Sequence, residues 1–71
     1  MKKLVISTDF IELKSALKLL SFVESGGEVK SFLLENDVYV NGIKETRRGK
    51  KLYKGDKLKI LNDEFEIDSE N

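Results

Sequence analysis

The sequence predicts an α+β domain in which two short helices pack on a small, mostly antiparallel sheet of short strands. Three observations carry this reading. Apolar residues recur at three- and four-residue spacing between Phe10 and Leu33. After Val38 the apolar period shortens to two, and Asn41-Gly42 stands between two β-rich runs as a hairpin turn.

Lys3 to Ile6 is a short apolar run of strand type. Asp9, with Glu12 three residues on, has the form of a helix cap with a capping-box partner. Phe10, Leu13, Ala16, Leu17 and Leu20 then trace a buried helical stripe, so the first helix is expected over about Phe10 to Leu20, with Lys14 and Lys18 on the other face. Ser25-Gly-Gly-Glu28 is a second capping signal, and Val29, Phe32 and Leu33 place a second helix over about Gly26 to Glu35. Val38 to Val40 is a strand, and Asn41-Gly42 predicts a type I′ turn because both residues must take positive φ. Glu45 to Lys51 has no clear period and is expected to be an exposed loop or irregular strand. Lys54 to Asp56 and Asn62-Asp63 are turns around the alternating runs Lys57 to Ile60 and Phe65 to Ile67, and Asp68 to Asn71 is expected to fray as an acidic tail. The strand-type ends near Leu4 and Phe65 are left to pair within one chain or between chains.

The chain has 71 residues, which suits a single domain over 1–71 with a thin core. It holds no cysteine and no histidine. That removes disulfides, thiolate metal sites, the commonest general base and the commonest covalent nucleophile, so the reading is of a non-enzyme with no cofactor and no small-molecule substrate. No apolar run approaches the roughly 18 residues of a membrane span, which makes a cytoplasmic protein with no membrane partner the expectation.

The net charge of zero conceals a sorting of charge along the chain. Lys44 to Lys59 carries eight cations against two anions, a local +6, whereas Ile60 to Asn71 carries five anions and no cation. Such asymmetry points to an anionic partner. Its centre is Glu45-Thr-Arg-Arg-Gly-Lys-Lys51, in which Arg forks, Lys point charges and a flexible glycine suit a curved phosphate backbone. The plainer reading of this run is a solvated surface loop. Ser25-Gly-Gly-Glu28 opens a helix with exposed N–H groups, but Glu28 would repel a phosphate there, and Lys30 is the better contact. Tyr39 and Tyr53 have the chemistry to stack on bases, although strand tyrosines more often pack half-buried. Phe10, Phe22, Phe32 and Phe65 are assigned to the core.

Val38-Tyr-Val-Asn-Gly42, followed thirteen residues later by Gly55-Asp56 and an alternating strand after two short helices, resembles a known family. It is the RNA-binding domain first seen in the fourth small-subunit ribosomal protein, the S-four or alpha-L motif. The likeness spans about Phe10 to Ile60. Ser-Gly-Gly-Glu-Val-Lys30 and Glu-Thr-Arg-Arg-Gly-Lys-Lys-Leu52 further resemble its YaaA-type branch of small stand-alone bacterial proteins. The resemblance implies binding of structured RNA, ribosomal RNA included, without catalysis or cofactor. Two features depart from the family. Glu12-Leu13-Lys14 stands where many members open the first helix with arginine-leucine-aspartate, and Gly26 stands where many carry arginine. Lys30 matches a common basic position.

The residues assigned to RNA binding are Lys14, Lys30, Lys44, Arg47, Arg48, Lys50, Lys51 and Lys54. Of these, Lys30, Arg47, Arg48, Lys50 and Lys51 are expected as main phosphate contacts. The alternative is a protein-interaction module whose basic loop docks an acidic partner.

Overall fold

Val38, Val40, Leu58, Ile60, Phe65 and Ile67 are all buried, each separated by one polar or half-exposed neighbour. That period-two pattern builds the apolar face of the sheet. The computed structural model describes residues 1–70. The elements in chain order are β1 (Lys2–Ile6), β2 (Phe10–Glu12), α1 (Leu13–Leu19), α2 (Gly26–Glu35), β3 (Val38–Val40), β4 (Ile43–Lys44), β5 (Lys51–Tyr53), β6 (Lys57–Ile60) and β7 (Asp63–Ser69). Five strands form one sheet in the order β1-β7-β6-β3-β4, and β2 pairs with β5 in a separate two-stranded ribbon. Among the described residues only β1 and β7 run parallel, and the other pairings are antiparallel. The two strand-type ends thus meet within one chain, with Leu4 opposite Ile67.

Leu13, Ala16 and Leu17 of α1 and Val29 and Leu33 of α2 join these strand residues in one apolar cluster. Each leucine, valine, isoleucine or phenylalanine among them taken out of water contributes about 1.5–3 kcal/mol. Phe22 and Phe32 are half-buried against the cluster, and Phe65 lies within it.

α2 occupies the expected span with Ser25 as its N-cap residue, but the Ser25 side chain accepts no helical N–H. Its hydroxyl instead meets the Glu28 carboxylate at 3.3 Å. The Asn41-Gly42 turn is as expected, with φ of 51° and 83° and Val40 opposite Ile43. It is clasped from outside. Asn41 Nδ2 donates to Asp56 Oδ1 at 3.1 Å, Lys57 N–H donates to Asn41 Oδ1 at 2.8 Å, and Tyr53 N–H donates to Asp56 Oδ2 at 2.7 Å. Two sequence-distant turns are therefore held as one unit.

Four expectations are corrected. The first helix does not begin at Phe10, nor does Asp9 cap it. Phe10 to Glu12 is strand, and the helix starts at Leu13 with extended Glu12 as its N-cap residue. Pairing with β5 sets Ile11 opposite Leu52, both in the core, and aromatic and β-branched residues favour extended backbone. Phe10 consequently lies at the surface, 36% exposed, and not in the core. The segment Glu45 to Lys51 is not uniformly an exposed loop, because Glu45 is buried. Finally, Asp68 and Ser69 are not a frayed tail. They extend β7 alongside Val5 and Ile6, and Glu70 N–H donates to the Ile6 carbonyl at 3.1 Å. Asn71, the last residue of that expected tail, lies outside the described residues.

Ile67 is fully buried at the junction of β1 and β7. Ile67→Ala is expected to cost about 2–5 kcal/mol, a large share of the stability of so small a domain. Urea unfolding followed by circular dichroism measures it, and an unchanged midpoint would sink the assignment of β7 as a core strand.

Candidate nucleic-acid interface

Four cations within five positions, Arg47 to Lys51, repel one another, so their loop needs an internal counter-charge. Glu45 supplies it. The residue is 8% exposed, and its carboxylate accepts four hydrogen bonds. Two come from the Thr46 and Arg47 backbone N–H groups at 3.1 and 2.9 Å, and two from Arg47 Nε and Nη2 at 3.0 and 3.2 Å. The Arg47 guanidinium first, then the backbone N–H groups, hold the Glu45 carboxyl down to about 2 against the opposing effect of burial. Glu45 in turn raises the basicity of Arg47. The Arg47 side chain remains 73% exposed, so the face of its fork not used by Glu45 is open to a second anion.

The far end of the loop is tied to α1. The first two helical N–H groups, on Leu13 and Lys14, donate to the Lys50 and Arg48 carbonyls at 2.8 and 2.9 Å. These are donors that every helix start leaves unpaired, and no side chain of the N-cap residue meets them here. The loop is therefore the cap of α1, and its cations travel with the helix.

This anchoring brings Lys30 of α2 to the loop. Lys30, Thr46, Arg47, Arg48 and Gly49 line one shallow groove of about 380 Å³. Lys14 stands at the tied end, with its ammonium 3.8 Å from Glu12. Lys50 is half-buried, while Lys51 leaves the loop into β5 and places its ammonium 4.8 Å from the centre of the Phe10 ring. Lys44 is drawn elsewhere, into an ion pair with Asp37 at 3.2 Å. Lys54 lies in the turn after β5. The Ser69 N–H holds the Asp68 carboxyl below its usual range, with smaller contributions from Lys3 and Lys54. Of the eight assigned cations, then, Lys30, Arg47 and Arg48 line one groove, Lys14, Lys50 and Lys51 flank the loop, and Lys44 and Lys54 are not among its lining residues.

Sequence reasoning assigned no role to Glu45. The available signal was a lone acid at the head of a cationic run, which gains meaning only when it is buried. The surface pair of Phe10 and Tyr53, with ring centres 5.9 Å apart, was also missed, because Phe10 fits a helical stripe equally well.

The protein is thus a small α+β domain that caps its first helix with a cationic loop and sets a lysine of its second helix beside that loop. The chain belongs to the S4 domain family, whose sequence model matches residues 4–68. It is also 47% identical over 55 residues, covering 78% of each chain, to a protein of Bacillus subtilis (strain 168) described as a probable ribosome maturation protein RlbA.

Because the hydrogen bonds from Arg47 and the loop backbone lower the Glu45 carboxyl from about 4.5 to about 2, its ionised form stabilises the native state at pH above about 4.5, and that stability is lost as pH falls toward 2. Glu45→Gln is expected to lose about 1–3 kcal/mol at neutral pH, because hydrogen bonds to a charged group are broken and replaced imperfectly. It should also flatten the acid limb. Urea midpoints measured between pH 2 and pH 7 test this, and a variant that keeps the wild-type acid limb would contradict it.

Proposed function

We propose that the protein binds structured RNA through its phosphate backbone, with Lys30, Arg47, Arg48, Lys50 and Lys51 as the main contacts and Lys14, Lys44 and Lys54 at the periphery. The observation that carries this reading is the single groove shared by Lys30, Arg47 and Arg48, residues from a helix and a loop separated by some seventeen positions. Clustered cations around a glycine suit the binding of a phosphate backbone. Family membership supports RNA as the polyanion. The name of the Bacillus relative supports a role in ribosome maturation, and such a role would make ribosomal RNA in the cytoplasm the partner. Glu12 and Gly26 occupy positions where many relatives carry arginine, so the loop is the principal grip.

Four to six phosphate contacts give a log–log salt slope of roughly −3 to −5. Titrating structured RNA, duplex DNA and heparin at several salt concentrations measures it. Lys30→Glu/Arg48→Glu is the informative variant, because Arg47 is left to neutralise Glu45. It is expected to weaken RNA binding by about tenfold or more and to reduce the slope by about 2, with the fold unchanged. Equal affinity for all three polyanions, or none for any, would favour an acidic protein as the partner of the loop.

A further inference from the structure

The β2–β5 ribbon turns one face to the core, through Ile11 and Leu52, and the other to solvent. On that outer face Phe10 and Tyr53 sit directly opposite each other, ring centres 5.9 Å apart and tilted by 49°. They are 36% and 49% exposed. Ordinarily a phenylalanine of this size is withdrawn from water, and burying its ring would stabilise the fold. Here the chain keeps it at the surface, beside a second aromatic ring and under an ammonium, with Lys51 Nζ 4.8 Å from the ring centre.

The surroundings specify the occupant. Lys51 is both the end of the cationic loop and the start of β5, and Lys54 follows Tyr53 by one residue. Phe10 lies on the strand that leads directly into the helix start held by the loop carbonyls. A partner on this face must therefore offer a flat aromatic surface and negative charge within a few ångströms of it. An unpaired nucleotide does so, with a base to stack and a phosphate on either side. The face is also pre-set, because the Tyr53 N–H is held by Asp56 Oδ2 at 2.7 Å, and Asp56 is itself fixed by Asn41.

We infer that Phe10 and Tyr53 form a stacking platform for an unpaired base of the RNA whose backbone lies on the cationic loop. The inference rests on the RNA-binding reading above and adds to it a preference for bulged, looped or single-stranded nucleotides over continuous duplex. Lys51 and Lys54 serve the phosphates flanking the stacked base.

The test compares an RNA hairpin bearing an unpaired bulge with a fully paired duplex of equal length, at fixed salt, by fluorescence anisotropy. Wild type is expected to favour the bulged RNA. Phe10→Leu/Tyr53→Leu should lose roughly tenfold to a hundredfold on the bulged RNA, the range that a stacked base carries, while duplex affinity and salt slope stay unchanged. Tyr53→Phe should retain the preference. In a Tyr39→Phe background, which leaves Tyr53 as the sole tyrosine, the bulged RNA should quench tyrosine emission more than the duplex does. If the double variant unfolds, Tyr53→Leu alone and the quenching measurement decide the matter. Equal wild-type affinity for the two RNAs, an undiminished preference in the leucine variants, or a parallel loss on both RNAs would overturn the platform and leave the backbone grip standing. Absence of any wild-type RNA binding would overturn both.

Discussion

The buried carboxylate of Glu45 is the constraint around which the cationic end of the molecule is arranged. Among the described residues it is the one charged group withdrawn from water, and a carboxylate so placed survives only because every approach to it is met by a donor. Those donors are the next two backbone N–H groups and one guanidinium, so the chain must turn tightly just where its positive charges begin. The Glu45 N–H in turn donates to the Val38 carbonyl at 2.8 Å, which fastens the turn to β3 and so to the sheet. Repulsion among the loop cations is partly neutralised at one end, and the remaining charge faces outward.

The other end of the loop depends on a reciprocal need. α1 has seven residues, too few to persist as an isolated helix, and its opening N–H groups lack a side-chain cap. The carbonyls of Arg48 and Lys50 supply the missing acceptors. Helix and loop are each incomplete alone. Their union ties the backbone at Lys14 to that at Arg48 and the backbone at Leu13 to that at Lys50. Disorder in the loop would uncap the helix, so binding geometry and folding stability are linked at this point.

A second clasp joins Asn41 to Asp56. The left-handed turn at Asn41 presents a side-chain amide that both donates to Asp56 and accepts from Lys57. Asp56 holds Tyr53 in the ribbon, and Phe10 faces Tyr53 across it. The cationic loop and the aromatic face are thus positioned by two small polar networks, each built on one acidic residue that makes several hydrogen bonds. Networks of this kind are rigid when every member is satisfied.

Local spacing and turn chemistry were enough to read the α+β class, the extent of α2, the type I′ turn at Asn41-Gly42 and the strands that alternate after it. Period, capping and positive φ are properties of a few neighbouring residues, and the sequence states them directly. The sorting of charge, and hence the presence of a cationic loop, was legible for the same reason. Only the tertiary structure decided whether Phe10 to Glu12 would be helix or strand, because the apolar pattern allows both and pairing with β5 chose between them. It alone decided that Asp68 and Ser69 extend β7, since a polar strand end is held there by backbone bonds to β1 that no side-chain pattern announces. The burial of Glu45, the diversion of Lys44 to Asp37 and the meeting of Lys30 with Arg48 are likewise products of packing. Each depends on how the folded backbone places side chains in space, and composition and periodicity carry no information about the resulting distances.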